Sequence, residues 1–501
     1  MPLPNRRTVL ATGALAALPL VAPGGALAAA AGGKKDSVVL ALTLEPPGLD
    51  PTASAASSIS EVVLYNVFET LTKINADGSV SPLLAESWEV SPDLKTTTFR
   101  LLRGVAFHNG QPFNAACVKF SLDRAGNDKS TNKDKRSFAS LATQVVDDHT
   151  VVVVNQDIDP DLLFVLGQGT SIMVEPQSAA SNATKPVGTG PYRLTAWRKG
   201  ASLTLTAWDG YRNPKAAHIR RATFRFISDP AAQVAALLAG DVDAFPRVTP
   251  RSVAQFQANP RFQVVVSGSR AKTILAMNHG RKPLNDVRVR RAIAAAIDRK
   301  AVIDGGGDGY GVPIGSHYVP GALGYVDTTG INPYDPALAK KLLAEAGVKL
   351  PLTLTLTLPP TPYARQGGEV IAAQLAQVGI HARLQNVEWA QWLSGTYGQK
   401  NYDLTLISHV EPFDLGNFAK PDYYWGYRSP EFNALYEKIQ TSARPADRAR
   451  LLGDAQRLLA HDAVHAFLFQ PQWVTVAHKN LQGLWKDMPV FVNDLSALSW
   501  S

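Results

Sequence analysis

The sequence predicts an α/β fold of two lobes, and three observations predict it. Leu352–Leu358 alternates Leu and Thr without a break, a helical period follows over 364–378, and a second strand pattern runs over 380–387; a strand-helix-strand unit of this length implies a parallel pair joined by a right-handed crossover. Residues 186–197 read Pro-Val-Gly-Thr-Gly-Pro-Tyr-Arg-Leu-Thr-Ala-Trp. Two glycines and two prolines there set a sharp turn, and Tyr192, Leu194 and Ala196 alternate with polar neighbours as in a half-buried strand. Such a turn returns a chain from an excursion. Finally, 501 residues are too many for one core, so two or three domains are expected.

Residues 1–28 stand apart from that fold. Asn5-Arg6-Arg7-Thr8-Val9-Leu10 precedes an apolar run to Val21, and Ala26-Leu27-Ala28 is a small-x-small cleavage site. This is the pattern of a twin-arginine export signal, an ordinary secretory signal with two arginines being the alternative; both send the mature protein out of the cytoplasm. Cys117 is the only cysteine and lies far from that site, which leaves neither a lipid anchor nor a disulfide framework. No other segment approaches the roughly 18 apolar residues a membrane helix needs. A soluble, periplasmic monomer is the expectation.

Composition is that of a globular chain, with 45% hydrophobic and 18% charged residues and a formal net charge of +8. The arginines are scattered apart from Arg220-Arg221 and the group Arg288, Arg290 and Arg291. The excess charge therefore reads as solvated surface, and nucleic acid is excluded as a partner.

Taken in order, the mature chain opens with a strand at 38–43, stopped by the prolines after Glu45. Residues 60–71 carry Val63, Val67 and Leu71 at helical intervals, and Asn75-Ala-Asp-Gly78 signals a hairpin. Strands at 83–90 and 96–102 lead to the Asn109-Gly110 turn, where His108 could serve a metal, catalysis or a loop hydrogen bond. Asn114 caps a helix whose apolar side holds Cys117, Val118 and Leu122, the setting of an inert buried thiol. Strands at 149–154 and 162–166 precede the return turn.

Asp229-Pro230 opens a helix that ends at Gly240, and Thr249-Pro250 begins another. Strands follow at 262–266 and 273–277, with the first crossing into the second lobe between them. Residues 285–298 are helical with Val289, Ile293 and Ala296 on one face. The glycine-rich 305–311 lacks the Lys-Ser/Thr ending of a phosphate loop and the GxGxxG spacing, and reads as a plain loop. Asp335-Pro336 starts a helix closed by Gly347; after the strand-helix-strand unit come a strand at 402–408 and helices at 429–442 and 446–462. Strands at 466–469 and 473–477 carry the chain back. No internal repeat is present. Two crossings, near 270 and near 470, make a hinge architecture. The first lobe is thus assigned 37–70, 186–268 and 470–501, an inserted subdomain 71–185, and the second lobe 269–469.

Catalytic signatures are absent: there is no GxSxG, HExxH, Walker sequence or cysteine pair. His461 and His465 have the spacing of zinc ligands on a helix, but no Glu follows His461, and histidines near a helix C-terminus complement its dipole without a metal. The loop 408–418 is more suggestive. It leaves the carboxyl end of a strand, where α/β sheets bind ligands, and Glu411, Asp414 and Phe413 suit a primary ammonium group, the alternative being that both acids are simply exposed.

Several runs resemble the family 5 extracellular solute-binding proteins, the peptide- and nickel-type receptors of ABC importers. They are Val187-Gly-Thr-Gly-Pro-Tyr192 with Trp208-Asp-Gly-Tyr211, Leu49-Asp50-Pro51 before a helix, the stretch 83–113, and 285–298. The resemblance spans nearly the whole mature chain. It implies a two-lobed periplasmic-binding-protein fold (type II, cluster C-like) with an extra inserted subdomain in the first lobe and no chemistry on the ligand; no enzymatic activity, no cofactor and no metal-ligating residue are expected. It also implies a small-molecule or peptide ligand handed intact to membrane permease subunits. Peptide receptors of this kind hold the ligand α-amino group with an acid in the loop matching Glu411 and Asp414, although they carry a tryptophan and an Asp-Pro-Asp-Asn run where this chain has His409 and Glu-Pro-Phe-Asp-Leu-Gly-Asn. Arg365, at a helix start, resembles the position from which dipeptide receptors aim an arginine at the ligand carboxylate, a surface arginine being the alternative. Trp389 and Trp392 would wall the pocket or pack the core. A short peptide or similar zwitterionic amine is the expected ligand; a metal chelate such as nickel, which His409 suits, and a secreted hydrolase are the alternatives.

Overall fold

The strand Lys272–Met277 is buried along its whole length, sending Leu275 and Met277 into one core and Ile274 and Ala276 into another. A strand covered on both faces needs an apolar run, which is what Thr-Ile-Leu-Ala-Met supplies. The computed structural model describes residues 35–501 except Ala55 and Ala443, so the signal at 1–28 lies outside the described residues. Within the compact unit Asp36–Ser501, Lys272–Met277 belongs to a six-stranded sheet ordered Gly311–Pro313, His465–Pro471, Lys272–Met277, Leu404–His409, Leu352–Leu358, Ile380–Asn386. Leu352–Leu358 and Ile380–Asn386 pair in parallel, with helix Pro362–Gln377 between them in sequence.

A seven-stranded sheet forms the other lobe, ordered Phe262–Ser267, Trp473–His478, Ala244–Phe245, Ser37–Leu42, Arg221–Phe226, Ser202–Ala207, Tyr192–Arg198. The chain leaves this sheet at Ser267, enters the six-stranded sheet at Lys272, and comes back between Pro471 and Trp473. A third sheet of four strands, ordered Ala85–Val90, Thr96–Leu101, Thr150–Asn155, Leu141–Asp147, has its own core with helix Ala115–Gly126. Cys117 is buried there, and burial pushes its thiol up. Among the described residues no helix is long and apolar enough to cross a membrane.

The return turn is held by contacts only glycine allows. A Cβ on Gly188 would stand 1.9 Å from the Val67 carbonyl oxygen, and one on Gly190 2.4 Å from that of Asn66. Gly190 N–H and Tyr192 N–H donate to the Val67 and Asn66 carbonyls at 2.9 and 2.8 Å. His108 completes the clasp, its Nδ1 accepting the Gly188 N–H at 3.3 Å and its Nε2 lying 2.9 Å from the Gly190 carbonyl. Burial lowers its pKa to about 4, so the ring is the neutral Nε2–H tautomer and serves the loop.

Four expectations are corrected. The helix at 60–71 is Ser57–Val63, because the backbone of residues 66–67 is taken up by the return turn and Tyr65 has φ of 60°. Residues 162–166 form a helical turn, Leu162–Val165, a short apolar run that periodicity alone does not resolve. His461 ends helix Pro445–His461 whereas His465 opens a strand, so the two never share a helical face. Arg290 is not solvated: it is buried and donates to the carbonyls of Leu284, Asn285, Asp462 and Ala463.

Replacing Gly188 by Ala forces the return turn off residues 66–67. We expect Gly188→Ala to cost at least about 2 kcal/mol in chemical denaturation, the scale of an overpacked core; an unchanged midpoint would refute the close approach.

Candidate functional site

Lys272 is the first residue of the strand that follows the crossing, and its ammonium has no route to water: its side chain is 3% exposed. It donates to Asp414 Oδ1 at 2.7 Å and to the Glu411 carbonyl at 2.5 Å. The other carboxylate oxygen, Oδ2, is 2.8 Å from His317 Nε2. Burial opposes ionisation of Asp414, but the His317 side chain and the Lys272 charge outweigh it and hold the carboxyl well below the usual carboxylate range. Burial keeps His317 neutral, so Nε2–H donates to Asp414 while Nδ1 has no partner among the described residues. His409 lies against this group, Nε2 at 3.0 Å from the Tyr424 hydroxyl, and burial with the neighbouring His317 lowers its pKa to about 3.

His317, His409 and Asp414 bring donor atoms within 4.8 Å of one another, a spacing a metal could use. The carboxylate, however, is already filled by an ammonium and an N–H. A dication would have to share it with Lys272, so the group reads as an ion-pair network.

The network anchors the loop after Leu404–His409, and that loop faces a cleft. A cavity of ≈ 350 Å³ opens there, lined from the seven-stranded side by Ser57, Ser60, Trp473 and Phe491 and from the other by Ala271, Val410, Glu411 and Pro412. Trp473 and Phe491 stack at 5.3 Å, with the Arg247 guanidinium over both rings and paired to Glu61. Adjoining cavities measure ≈ 210 and ≈ 390 Å³. At the rim, Arg448 pairs with Asp161 at 2.7 Å and Phe164 meets Phe413 edge-on at 4.8 Å; Arg251 reaches Asp308 and Gln366 at 2.7 and 2.8 Å.

The residues singled out from sequence fall into three groups. Glu411 lines the ≈ 350 Å³ cavity with its side chain 64% exposed, and Phe413 lines the ≈ 210 Å³ one. Asp414 and His409 lie behind them, buried in the network, where neither carboxylate nor imidazole is open to a solute. Arg365, Trp389 and Trp392 line none of these cavities. Arg365 pairs with Glu388 at 3.2 Å, Trp392 is buried with its indole N–H on Thr405 Oγ1, and Trp389 packs edge-on against Trp392. Sequence reasoning missed Lys272 and His317, which sit in apolar surroundings without a motif. It also missed Arg270, although a charged residue inside a predicted crossing is a usable signal.

Residues 79–434 match the family of bacterial extracellular solute-binding proteins, family 5 Middle. The chain belongs to this family. As a family 5 solute-binding protein it is a transport receptor of an ABC importer and not an enzyme. It is 30% identical over 471 residues to the glutathione-binding protein GsiB of Salmonella choleraesuis (strain SC-B67), covering 89% of this chain and 91% of that one. Among solved structures, HbpA2 from Haemophilus parasuis superimposes with a TM-score of 0.85 at 22% identity, over 93% of this chain and 100% of that one, which shows the two-lobed fold. The PBP AgaA of A.tumefacien R10, in complex with agropinic acid, matches with a TM-score of 0.75 at 25% identity, over 93% and 99% of the two chains.

The receptor's buried histidines make its stability acid-sensitive. Unfolded histidine binds a proton near pH 6.5, whereas native His409 does so only at about 3, so the unfolded chain holds more protons between these values. Asp414 acts in the same sense below the ordinary carboxylate pKa of about 4. We expect the melting temperature to fall by at least a few degrees from pH 7 to pH 5, and less steeply in His409→Gln. Lys272→Met, which strands the Asp414 carboxylate, should cost about 3 kcal/mol or more in urea unfolding; a smaller loss would mean that the pair is not buried.

Proposed function

We propose that this family 5 receptor takes a short peptide or a similar small zwitterion in the ≈ 350 Å³ cavity between its lobes and delivers it intact to its permease. The observation that carries the reading is Glu411. Among the described residues its carboxylate accepts only the Val410 N–H, at 3.1 Å, with His409 Nδ1 at 3.9 Å, and it lines the cavity, so it offers an ammonium group a charge-assisted partner. Ser57, Ser60 and Thr170 add hydrogen-bonding groups, and Trp473 with Phe491 supplies an apolar wall, the mix usual in small-solute sites. The kinship with a glutathione-binding protein and with a protein solved in complex with agropinic acid supports a small solute.

Asp414 acts as a positioning residue in this reading: its pairing with Lys272 fixes the loop that presents Glu411. The receptor works as a periplasmic monomer, exported by the twin-arginine signal of residues 1–28.

Native mass spectrometry of protein purified without denaturation is expected to show a co-purified adduct of peptide size. Glu411→Ala should weaken that ligand's binding at least about tenfold by calorimetry, the worth of one charged hydrogen bond. Full affinity in Glu411→Ala would remove the carboxylate from the site and the reading with it.

A further inference from the structure

Arg270 stands in the crossing 268–271 and is the one residue common to the ≈ 350, ≈ 210 and ≈ 390 Å³ cavities. It is half-buried, and among the described residues its guanidinium makes neither a hydrogen bond nor an ion pair. Several charged neighbours in the same walls are already paired. Arg448 is held by Asp161 at 2.7 Å and Lys133 by Asp134 at 3.1 Å. Asp487, whose charge acts on Arg270, takes the Gly268 N–H at 2.9 Å instead. Gly78, at the tip of the hairpin between Thr72–Ile74 and Val80–Pro82, clears room for the group: a Cβ there would stand 2.4 Å from the guanidinium.

A guanidinium withdrawn from water without an anion costs free energy that the apo protein does not recover. It also lies in the wall of the cavity that holds Glu411. The planar fork of an arginine matches a carboxylate by two parallel hydrogen bonds.

We propose that Arg270 is an anion subsite at the crossing end of the cleft, taking a carboxylate of the bound solute while Glu411 takes its ammonium. The solute class narrows to zwitterions with a free carboxylate, and amine-only solutes are excluded. Placement at the crossing also joins recognition to motion, because the strand that begins at Lys272 starts two residues later.

The inference rests on the peptide-like reading above, and the test separates the two. Calorimetry on the mature chain uses two pairs of probes, tri-alanine with its C-terminal amide and glutathione with its monoethyl ester. In the unaltered protein the free carboxylate form should bind at least about tenfold tighter than its blocked partner. In Arg270→Gln that preference should shrink below about threefold, with Arg270→Lys between, since a lysine keeps the charge but not the fork. The ligand-free melting temperature of Arg270→Gln should stay the same or rise, because no hydrogen bond or ion pair is lost and a half-buried charge is removed. Binding that ignores both the blocked carboxylate and Arg270 overturns the anion subsite alone, as would a ligand-free Arg270→Gln that melts several degrees lower. Failure of every probe to bind overturns the peptide-like reading as well.

Discussion

The buried pair Lys272–Asp414 is the constraint on which the cleft depends. Removing an ammonium and a carboxylate from water is tolerable only when each completes the other, and geometry here is close to complete: Lys272 contributes one bond to the carboxylate and one to the Glu411 carbonyl, and His317 supplies the N–H for the second oxygen. Phe418, Trp425 and Phe467 pack around the His317 ring, and that apolar shell makes the pairing strict. The consequence is positional. The last strand before the loop and the first strand after the crossing are neighbours in one sheet, with Lys272 opposite His409 in register. The loop is therefore tied to the crossing itself. Glu411 and Phe413 point outward because Asp414 is fastened inward.

What was legible in the sequence was whatever local chemistry dictates. The Asn75–Gly78 hairpin appears as read, with Gly78 at φ of 83°. Asp229 caps helix Pro230–Ala239 from the Ala232 N–H, and the alternating Leu352–Leu358 is a parallel strand beside Ile380–Asn386. The failures have a common cause in tertiary demand. Val67 and Leu71 keep a helical interval, yet Asn66 and Val67 serve the return turn more than a hundred residues away. Within the site, periodicity marked the loop 408–418 but not its division of labour. Glu411 and Asp414 are both acidic and three apart; only the partner strand, carrying Lys272, decides which one is buried. Resemblance pointed to Arg365 and aromatic character to the tryptophans, and Glu388 and Thr405, not the cleft, hold Arg365 and Trp392.

The first-lobe wall follows a different rule from the loop it faces. Trp473 begins the strand after the second crossing, stacks on Phe491, and carries the Arg247–Glu61 pair above it. Arg247 is thus spoken for by a carboxylate and two rings, whereas the guanidinium at the first crossing is not. Two arginines in one cleft differ in what surrounds them. One is built into the wall, and the other is left available.

The rim contacts bear on how such a cleft is regulated. Asp161–Arg448 and Arg251–Asp308 join the two sides; the second is within reach of solvent and contributes about 0–1 kcal/mol, whereas the first, with side chains 16% and 12% exposed, gives back in desolvation much of what its attraction gains. An edge-on aromatic pair such as Phe164–Phe413 adds about 0.5–1.5 kcal/mol. Neither the solvent-reachable pair nor the aromatic contact approaches the roughly 5.5 kcal/mol that separates a 1:99 population from 99:1. The rim can bias the two lobes toward one another without holding them there. A solute that touches both walls supplies the difference, and only then does the arrangement of the lobes report that the cleft is occupied.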